Sequence, residues 1–232
     1  MRSKVVGLAT VTVLASGCAS TGSWSPSSIA QENHIYAGAA LGQSDYSDSV
    51  QDFDNALANS GGIVVLSNSS SLDTSGVGFG ATLGYRLSPF AGTEIAYYRL
   101  GRETYNSTSQ SILTGAGAGT LNLRQEARTS GVGLSALGFL PIRENWELYG
   151  RGGILLANTD LKSTFSFAGS AASSSTGSAD STDLFVGLGG SYYYNDQWDI
   201  RLEFQRFLDV GNGDTGETDI DFVGLQVLYS IF

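Results

Sequence analysis

Alternation with a period of two runs through most of this chain and limits its fold more than any other feature. Val77, Phe79, Ala81, Leu83, Tyr85 and Leu87 are interleaved with Gly78, Gly80, Thr82, Gly84, Arg86 and Ser88, which puts one set on each face of a strand. The pattern returns at Leu184, Val186, Leu188, Gly190, Tyr192 and Tyr194. It returns again at Trp198, Ile200, Leu202 and Phe204 against Asp199, Arg201, Glu203 and Gln205. The spacing predicts eight strands, at 34–47, 77–88, 91–104, 119–140, 146–162, 182–195, 198–210 and 220–232. Connections after the second, fourth and sixth are short; those after the first, third, fifth and seventh are long and rich in Ser, Gly, Asn, Asp and Thr. Short and long connections in turn are the habit of an antiparallel up-and-down transmembrane β-barrel, so the expected fold is all-β with eight strands. The longest connection is 48–76, and the small-residue run Ala168–Ser181 reads as a mobile loop.

Composition agrees. The 232 residues include 31 Gly, 11 Tyr and 11 Phe but only three Pro, one Cys and one His. Pro89 and Pro141 fall in short turns and Pro26 lies before the strands, so no ladder is expected to lose a donor. A net charge of −10, with twelve basic residues scattered singly, excludes a nucleic-acid surface, which needs clustered Lys and Arg.

The N-terminus reads as an export signal. Two basic side chains in Met1–Lys4 precede the apolar run Val5–Leu14, and such a segment is set apart from the fold. Leu14-Ala15-Ser16-Gly17-Cys18 resembles a bacterial lipobox, which would make Cys18 the acylated first residue after cleavage of 1–17. The alternative is ordinary cleavage after Gly17 or Ala19 with Cys18 incidental. As the only cysteine, Cys18 forms no intrachain disulfide. Residues 18–33 are Ser-rich and read as a flexible tether, leaving 34–232 for the barrel.

Parity assigns faces. Arg86, Glu94, Arg151, Asp199, Arg201 and Glu203 fall inside, and Leu188 and Leu202 face lipid. Trp146 and Trp198 open strands after short turns, Tyr192 and Tyr194 close one, and Phe90 joins the same rim; together they read as an aromatic girdle at the periplasmic interface. Strand 119–140 is irregular, since Leu121, Leu123 and Ala127 are odd but Val132, Leu134 and Ala136 even, and a bulge near Ser130-Gly131 is expected to reconcile them. Arg99 faces outward, either reaching lipopolysaccharide phosphates or snorkelling past the membrane edge.

Several segments resemble the eight-stranded OmpA-type outer-membrane barrel family. They are Ile35-Tyr36-Ala37-Gly38-Ala39-Ala40-Leu41-Gly42; Gly80–Tyr105 with Gly84-Tyr85, Glu94 and Leu100-Gly101-Arg102; Gly131–Ala157; and Arg201-Leu202-Glu203-Phe204-Gln205. Their collinear order is the specific signal. The resemblance implies the transmembrane domain alone, without the family's peptidoglycan-binding domain, in the outer membrane of a Gram-negative bacterium. It implies a lumenal charge network in which an Arg pairs with either of two Glu while a Lys competes. Glu94 and Arg201 take the Glu and Arg positions, but the Lys position falls on Leu137 and the second Glu on Ser191, so a pair without switching partners is expected. A terminal Phe232 fits the signal read by the barrel-assembly machinery, although Val223, Leu225, Val227, Tyr229 and Ile231 have the other parity.

An eight-stranded barrel is just wide enough to fill with its own side chains. The expected function is therefore structural or surface-interacting, with a polar plugged lumen, long extracellular loops and little transport. The alternatives are a narrow low-conductance porin or a loop-mediated adhesin. Barrels of this size that modify lipid A resemble hydrolases or transferases using a His near the outer face, whereas His34 begins the first strand at the periplasmic end; no enzyme activity is expected. Asp45, Asp48, Asp52 and Asp54, and Asp214, Glu217, Asp219 and Asp221, form acidic loop clusters without the spacing of a calcium loop. No metal or cofactor is expected, and the expected partners are outer-membrane lipids, lipopolysaccharide and the assembly machinery, with the chain a monomer.

Overall fold

The computed structural model describes residues 33–212 and 216–231. Ten strands and one helix follow in chain order: β1 (His34–Tyr46), α1 (Val50–Ala58), β2 (Ile63–Asp73), β3 (Ser75–Ser88), β4 (Ala91–Arg99), β5 (Glu103–Leu113), β6 (Gly117–Arg143), β7 (Trp146–Phe167), β8 (Ser173–Tyr193), β9 (Trp198–Asn212) and β10 (Gly216–Ile231). Eight of them close a ring through antiparallel pairings β1–β3, β3–β4, β4–β6, β6–β7, β7–β8, β8–β9, β9–β10 and β10–β1. A closed ladder leaves no edge unpaired in lipid, and that is what permits a sheet to span a membrane. Among the described residues no helix is long and apolar enough to cross one.

Sidedness follows the sequence parity. Leu83, Ile95, Leu134, Ile154, Leu188, Leu202 and Leu225 point outward and stay exposed, while Thr82, Glu94, Ser135, Arg151, Ser191, Arg201 and Gln226 are buried inside. The C-terminal strand keeps this rule, with Val223, Val227, Tyr229 and Ile231 outside and Phe222 and Leu228 inside.

Four expectations are corrected. The long connections are themselves ordered. Segment 48–76 contains α1 and β2, and the third predicted strand continues past residue 104 through β5. Above the ring, β2, β5 and the upper parts of β6, β7 and β8 form a sheet continuous with the barrel wall. The supposed loop 168–181 shrinks to 168–172, because Ser173–Ser181 pair with β7 from Phe165 to Ala157. Small polar side chains carry no burial signal, but a neighbouring strand can still satisfy their backbone.

The bulge lies elsewhere. β6 runs against β7 without a slip from Leu121↔Phe167 to Pro141↔Glu147. The extra residue sits across the ladder instead: Arg99 pairs with Ser130 but Glu103 with Ala127, so four steps on one strand match three on the other. Gly101, at φ 76°, supplies the left-handed residue there.

Pro141 is inside β6 rather than in the turn. It lies past Gly138↔Ala91, the last β4 pairing, so its missing N–H breaks no ladder on that side.

Lastly, the interior is not polar throughout. Towards the long-connection end it holds Tyr98, Leu100, Leu155, Phe185, Phe207, Val210, Ile220 and Phe222, all buried in one cluster.

Candidate functional site: the barrel interior and its outer mouth

Inward parity on β3, β4, β7 and β9 delivers the lumenal charges. Nearest the short turns, Arg86 forms a two-pronged pair with Glu147, Nη1 to Oε1 at 3.0 Å and Nη2 to Oε2 at 2.9 Å. The Tyr193 hydroxyl donates to Glu147 Oε1 at 2.7 Å, and the guanidinium carbon lies 3.7 Å from the centre of the Phe139 ring. Arg86 also donates to the carbonyls of Ser88 (3.1 Å) and Pro89 (2.6 Å), tying the network to the first short turn.

One layer further in, Glu94 bridges two arginines. It accepts from Arg201 Nη1 at 2.7 Å and from Arg151 Nη2. Tyr36 donates to the same carboxylate at 2.8 Å. Arg201 also pairs with Asp199 at 2.9 Å, and Arg151 with Glu203 at 3.3 Å. Tyr149 donates to Glu203 (2.7 Å), and Arg151 donates to the Tyr98 hydroxyl (2.9 Å). All six predicted lumenal residues are thus brought into one buried set. The bidentate geometry of Arg favours such sharing, and mutual pairing lowers the cost of burying these charges together.

Two features of this set differ from expectation. Glu94 and Arg201 are not an isolated pair, because Arg151 competes for Glu94 and Asp199 for Arg201. Leu137 packs with Phe139 and Tyr149 instead, and Ser191 sits opposite Arg201 in register. Sequence reading also missed Glu147 and the hydroxyls of Tyr36, Tyr149 and Tyr193. Glu147 and Tyr149 share the inward parity of Arg151, so the signal was present in their own strand.

At the short-turn end, Trp146 stacks on Tyr192 with ring centres 4.8 Å apart, and Trp198 meets Tyr229 at 5.0 Å. Phe90, Tyr194, Trp146 and Trp198 are exposed there. His34 pairs in register with Arg86 at the same end, across the barrel wall from the long connections. Cys18, Asp214 and Phe232 lie outside the described residues.

At the other end α1 covers the mouth. Ser49 caps it, with Asp52 reaching back to the Ser49 N–H at 3.3 Å. Asp54 accepts from Tyr105 (2.6 Å), Asn68 (2.8 Å) and Ser70 (2.9 Å), and Phe53 stacks on Tyr105 at 4.8 Å. Asp45 accepts from Thr74, Asp221 from Arg206, and Asp219 from the Asp209 N–H. These acidic residues therefore serve separate local contacts, and no group of three or more His, Cys, Asp or Glu among the described residues is placed to hold a metal ion.

Beneath α1 lies a cavity of about 400 Å³, lined by Tyr46, Asp48, Phe53, Glu103, Thr129, Leu161 and Val210 among others. The bulge at Gly101 turns Glu103 into it. Burial, with the neighbouring Asp48 charge, pushes the Glu103 carboxyl up to about 8, and burial raises Asp48 as well.

Residues 30–232 match the OmpA-like transmembrane domain. Outer membrane protein A of Yersinia pseudotuberculosis serotype I is 27% identical over 185 residues, covering 80% of this chain and 44% of that protein. Outer membrane protein A of Serratia marcescens is 27% identical over 205 residues, covering 86% and 50%. The chain thus spans about half the length of the curated relatives it matches. Among solved structures, the N-terminal β-barrel domain of Pseudomonas aeruginosa OprF aligns over 86% of this chain and 98% of that one, at 14% identity and a TM-score of 0.45. The chain belongs to the OmpA-like transmembrane domain family, and it is a β-barrel protein of the Gram-negative outer membrane.

Proposed function

We propose that the protein is a sealed, monomeric barrel that anchors an ordered platform on the cell surface, and that it neither conducts ions nor catalyses a reaction. The observation that carries this reading is the two-layer filling of the lumen. Glu94, 1% exposed, is clamped between Arg201 and Arg151, and Tyr98, Phe185 and Phe207 close the bore above it with ring centres 5.2–6.0 Å apart. Charges locked in mutual pairs cannot act as a hydrated path without first breaking those pairs.

The long-connection end faces outward in this reading, which sets the aromatic rim of Trp146 and Trp198 at the periplasmic interface. The surface role then falls to α1, β2, β5 and the upper hairpin of β7 and β8. His34 sits at the periplasmic end, too far from the outer leaflet to act there as a general base.

Planar-bilayer recording tests the seal. Wild-type protein is expected to give no regular conductance steps, whereas Phe185→Ala with Phe207→Ala opens the upper layer and should raise leak. Large regular channels in the wild type would reject the reading. A protease site inserted between Ala171 and Ala172 should be cut on intact cells, and one inserted at Asp196-Gln197 only after the outer membrane is broken.

A further inference from the structure

The chain is strongly acidic, yet its external cations are gathered on one side. Seven described Arg and Lys side chains lie outside the lumen: Arg99, Arg102, Arg124, Arg128, Arg143, Lys162 and Arg206. Four of them, Arg99, Arg102, Arg124 and Arg128, stand on β4, β6 and the bulge between β4 and β5. Arg99, Arg102 and Arg128 line a groove of about 520 Å³ together with Val77, Phe79, Gly76 and Gly101.

The bulge builds this groove. In a regular strand, residues three apart point to opposite faces. The extra residue between Arg99↔Ser130 and Glu103↔Ala127 lets both Arg99 and Arg102 face outward, while Leu100 and Glu103 are buried. The floor is backbone, because a Cβ on Gly76 would come within 2.9 Å of the Arg102 nitrogen. Glu126 accepts from Arg124 at 2.6 Å and lies 3.5 Å from Arg128 and 4.0 Å from Arg102. One carboxylate therefore serves three guanidiniums. Arg99 has no ion-pair partner among the described residues.

Position decides what fits. Arg99 pairs in register with Phe79, and Phe79 and Val77 are exposed on the lipid side at the upper limit of the apolar band. The guanidiniums thus sit where that band meets the polar layer. A ligand of this groove presents anionic oxygens to three arginines and an apolar chain to Val77 and Phe79.

We propose that the groove binds a phosphate of an outer-leaflet lipid between Arg99, Arg102 and Arg128, with an acyl chain of that lipid lying on Val77 and Phe79. The site rests on the outward orientation of the long connections given above. Guanidinium forks match phosphate oxygens in pairs, and the membrane places such a headgroup at this height. A soluble sulfated glycan would meet the charges but would leave Val77 and Phe79 unused.

The test measures binding of the full-length barrel, held in zwitterionic detergent, to bisphosphorylated lipid A and to the same lipid with both phosphates removed. Wild type is expected to prefer the phosphorylated form by at least about tenfold, each basic side chain near a lipid surface being worth about 1 kcal/mol. Arg99→Gln with Arg128→Gln should abolish that preference, and Arg99→Lys with Arg128→Lys should keep part of it. Arg206→Gln, on the opposite wall and paired with Asp221, should leave it intact. Each variant is first shown to be folded by its change in gel mobility on boiling. Equal binding of the two lipids, an undiminished preference in Arg99→Gln/Arg128→Gln, or competition by soluble heparin as effective as the lipid would overturn the site. None of these results alters the conductance measurement, so the sealed barrel stands or falls separately.

Discussion

The lower and upper halves of β6 and β7 are the same strands in the same register, yet their faces exchange chemistry. In the barrel, outward positions on β7 are Leu148, Ile154 and Leu156, and inward ones Glu147, Tyr149 and Arg151. Eight or more residues further along, the outward positions are Asp160, Lys162 and Thr164, while the inward ones become Leu161 and Phe165. β6 does the same, from outward Val132 and Leu134 to outward Asn122, Arg124 and Glu126, with inward Leu121 and Leu123 beneath α1. Nothing in the backbone marks the exchange. The surroundings do: lipid outside and a polar lumen below, water outside and a helix above. Strand periodicity therefore fixes which residues share a face, and the medium on each side fixes which face is apolar.

The largest test of the comparison lies in the lower interior. Glu94→Gln leaves Arg201 and Arg151 short of a counter-charge and is expected to cost about 3–5 kcal/mol in urea unfolding. Glu94→Gln with Arg201→Leu should cost less than the sum of the singles, as coupled partners do. Additive costs would show that the network is not a unit.

Next come the two outer faces. Ile154→Lys, in lipid, should cost about 2–4 kcal/mol. Lys162→Leu, eight residues on along the same face of the same strand, should change stability by no more than about 0.5 kcal/mol. Equal costs in liposome-embedded protein would deny that a medium boundary crosses β7 between them. Leu121→Ala, inward but above that boundary, should behave as an ordinary core truncation of about 2–4 kcal/mol.

The boundary also holds the bulge. Gly101→Ala forces a side chain into φ 76° and should cost about 1–2 kcal/mol. Because it resets the parity of everything after it, Glu103 and Arg102 should both become more reactive or mobile in hydrogen exchange of β5. A neutral result would mean that the register slip is carried by the neighbouring pairings rather than by this residue.

These differences explain what could be read from the chain. Strands such as 77–88 and 198–210 were legible because lipid and lumen demand opposite residues, and the contrast writes itself as alternation. The eight-membered ring followed from the short and long connections. Ser173–Ser181 was illegible, because its small side chains bury nothing on either face and only pairing with β7 makes it a strand. The parity change in β6 was visible, but its cause was not. A bulge and a change of medium leave the same trace in sequence, and β6 has the second while the first lies across the ladder at Leu100–Arg102. For the interior, the charged residues could be read from parity. Their partners could not: Glu94 joins Arg151 because two non-adjacent strands face each other across a narrow bore.

The smallest expected effect is a pH dependence confined to the upper half. Glu103 and Asp48 share the cavity under α1 with Tyr46, Asp52 and Glu217. Burial, reinforced by Asp48, pushes Glu103 up to about 8, whereas an unfolded Glu titrates at about 4.3. Between these values the folded protein holds a proton that the unfolded chain has released. Stability then falls as pH rises from about 4.3 to about 8 and levels off above, with the folded state favoured at the acid end. Deprotonation sets two carboxylates against each other beneath α1, so the effect should appear as faster proteolysis within 48–62 at pH 8.5 than at pH 6. Glu103→Gln keeps the shape without the charge and should flatten that slope, as should Asp48→Asn. The lower network should be indifferent, since its carboxylates are already matched by arginines. A slope that survives Glu103→Gln, or one that reports equally from the gel mobility of the whole barrel, would place the titrating group elsewhere and make the two halves one cooperative unit.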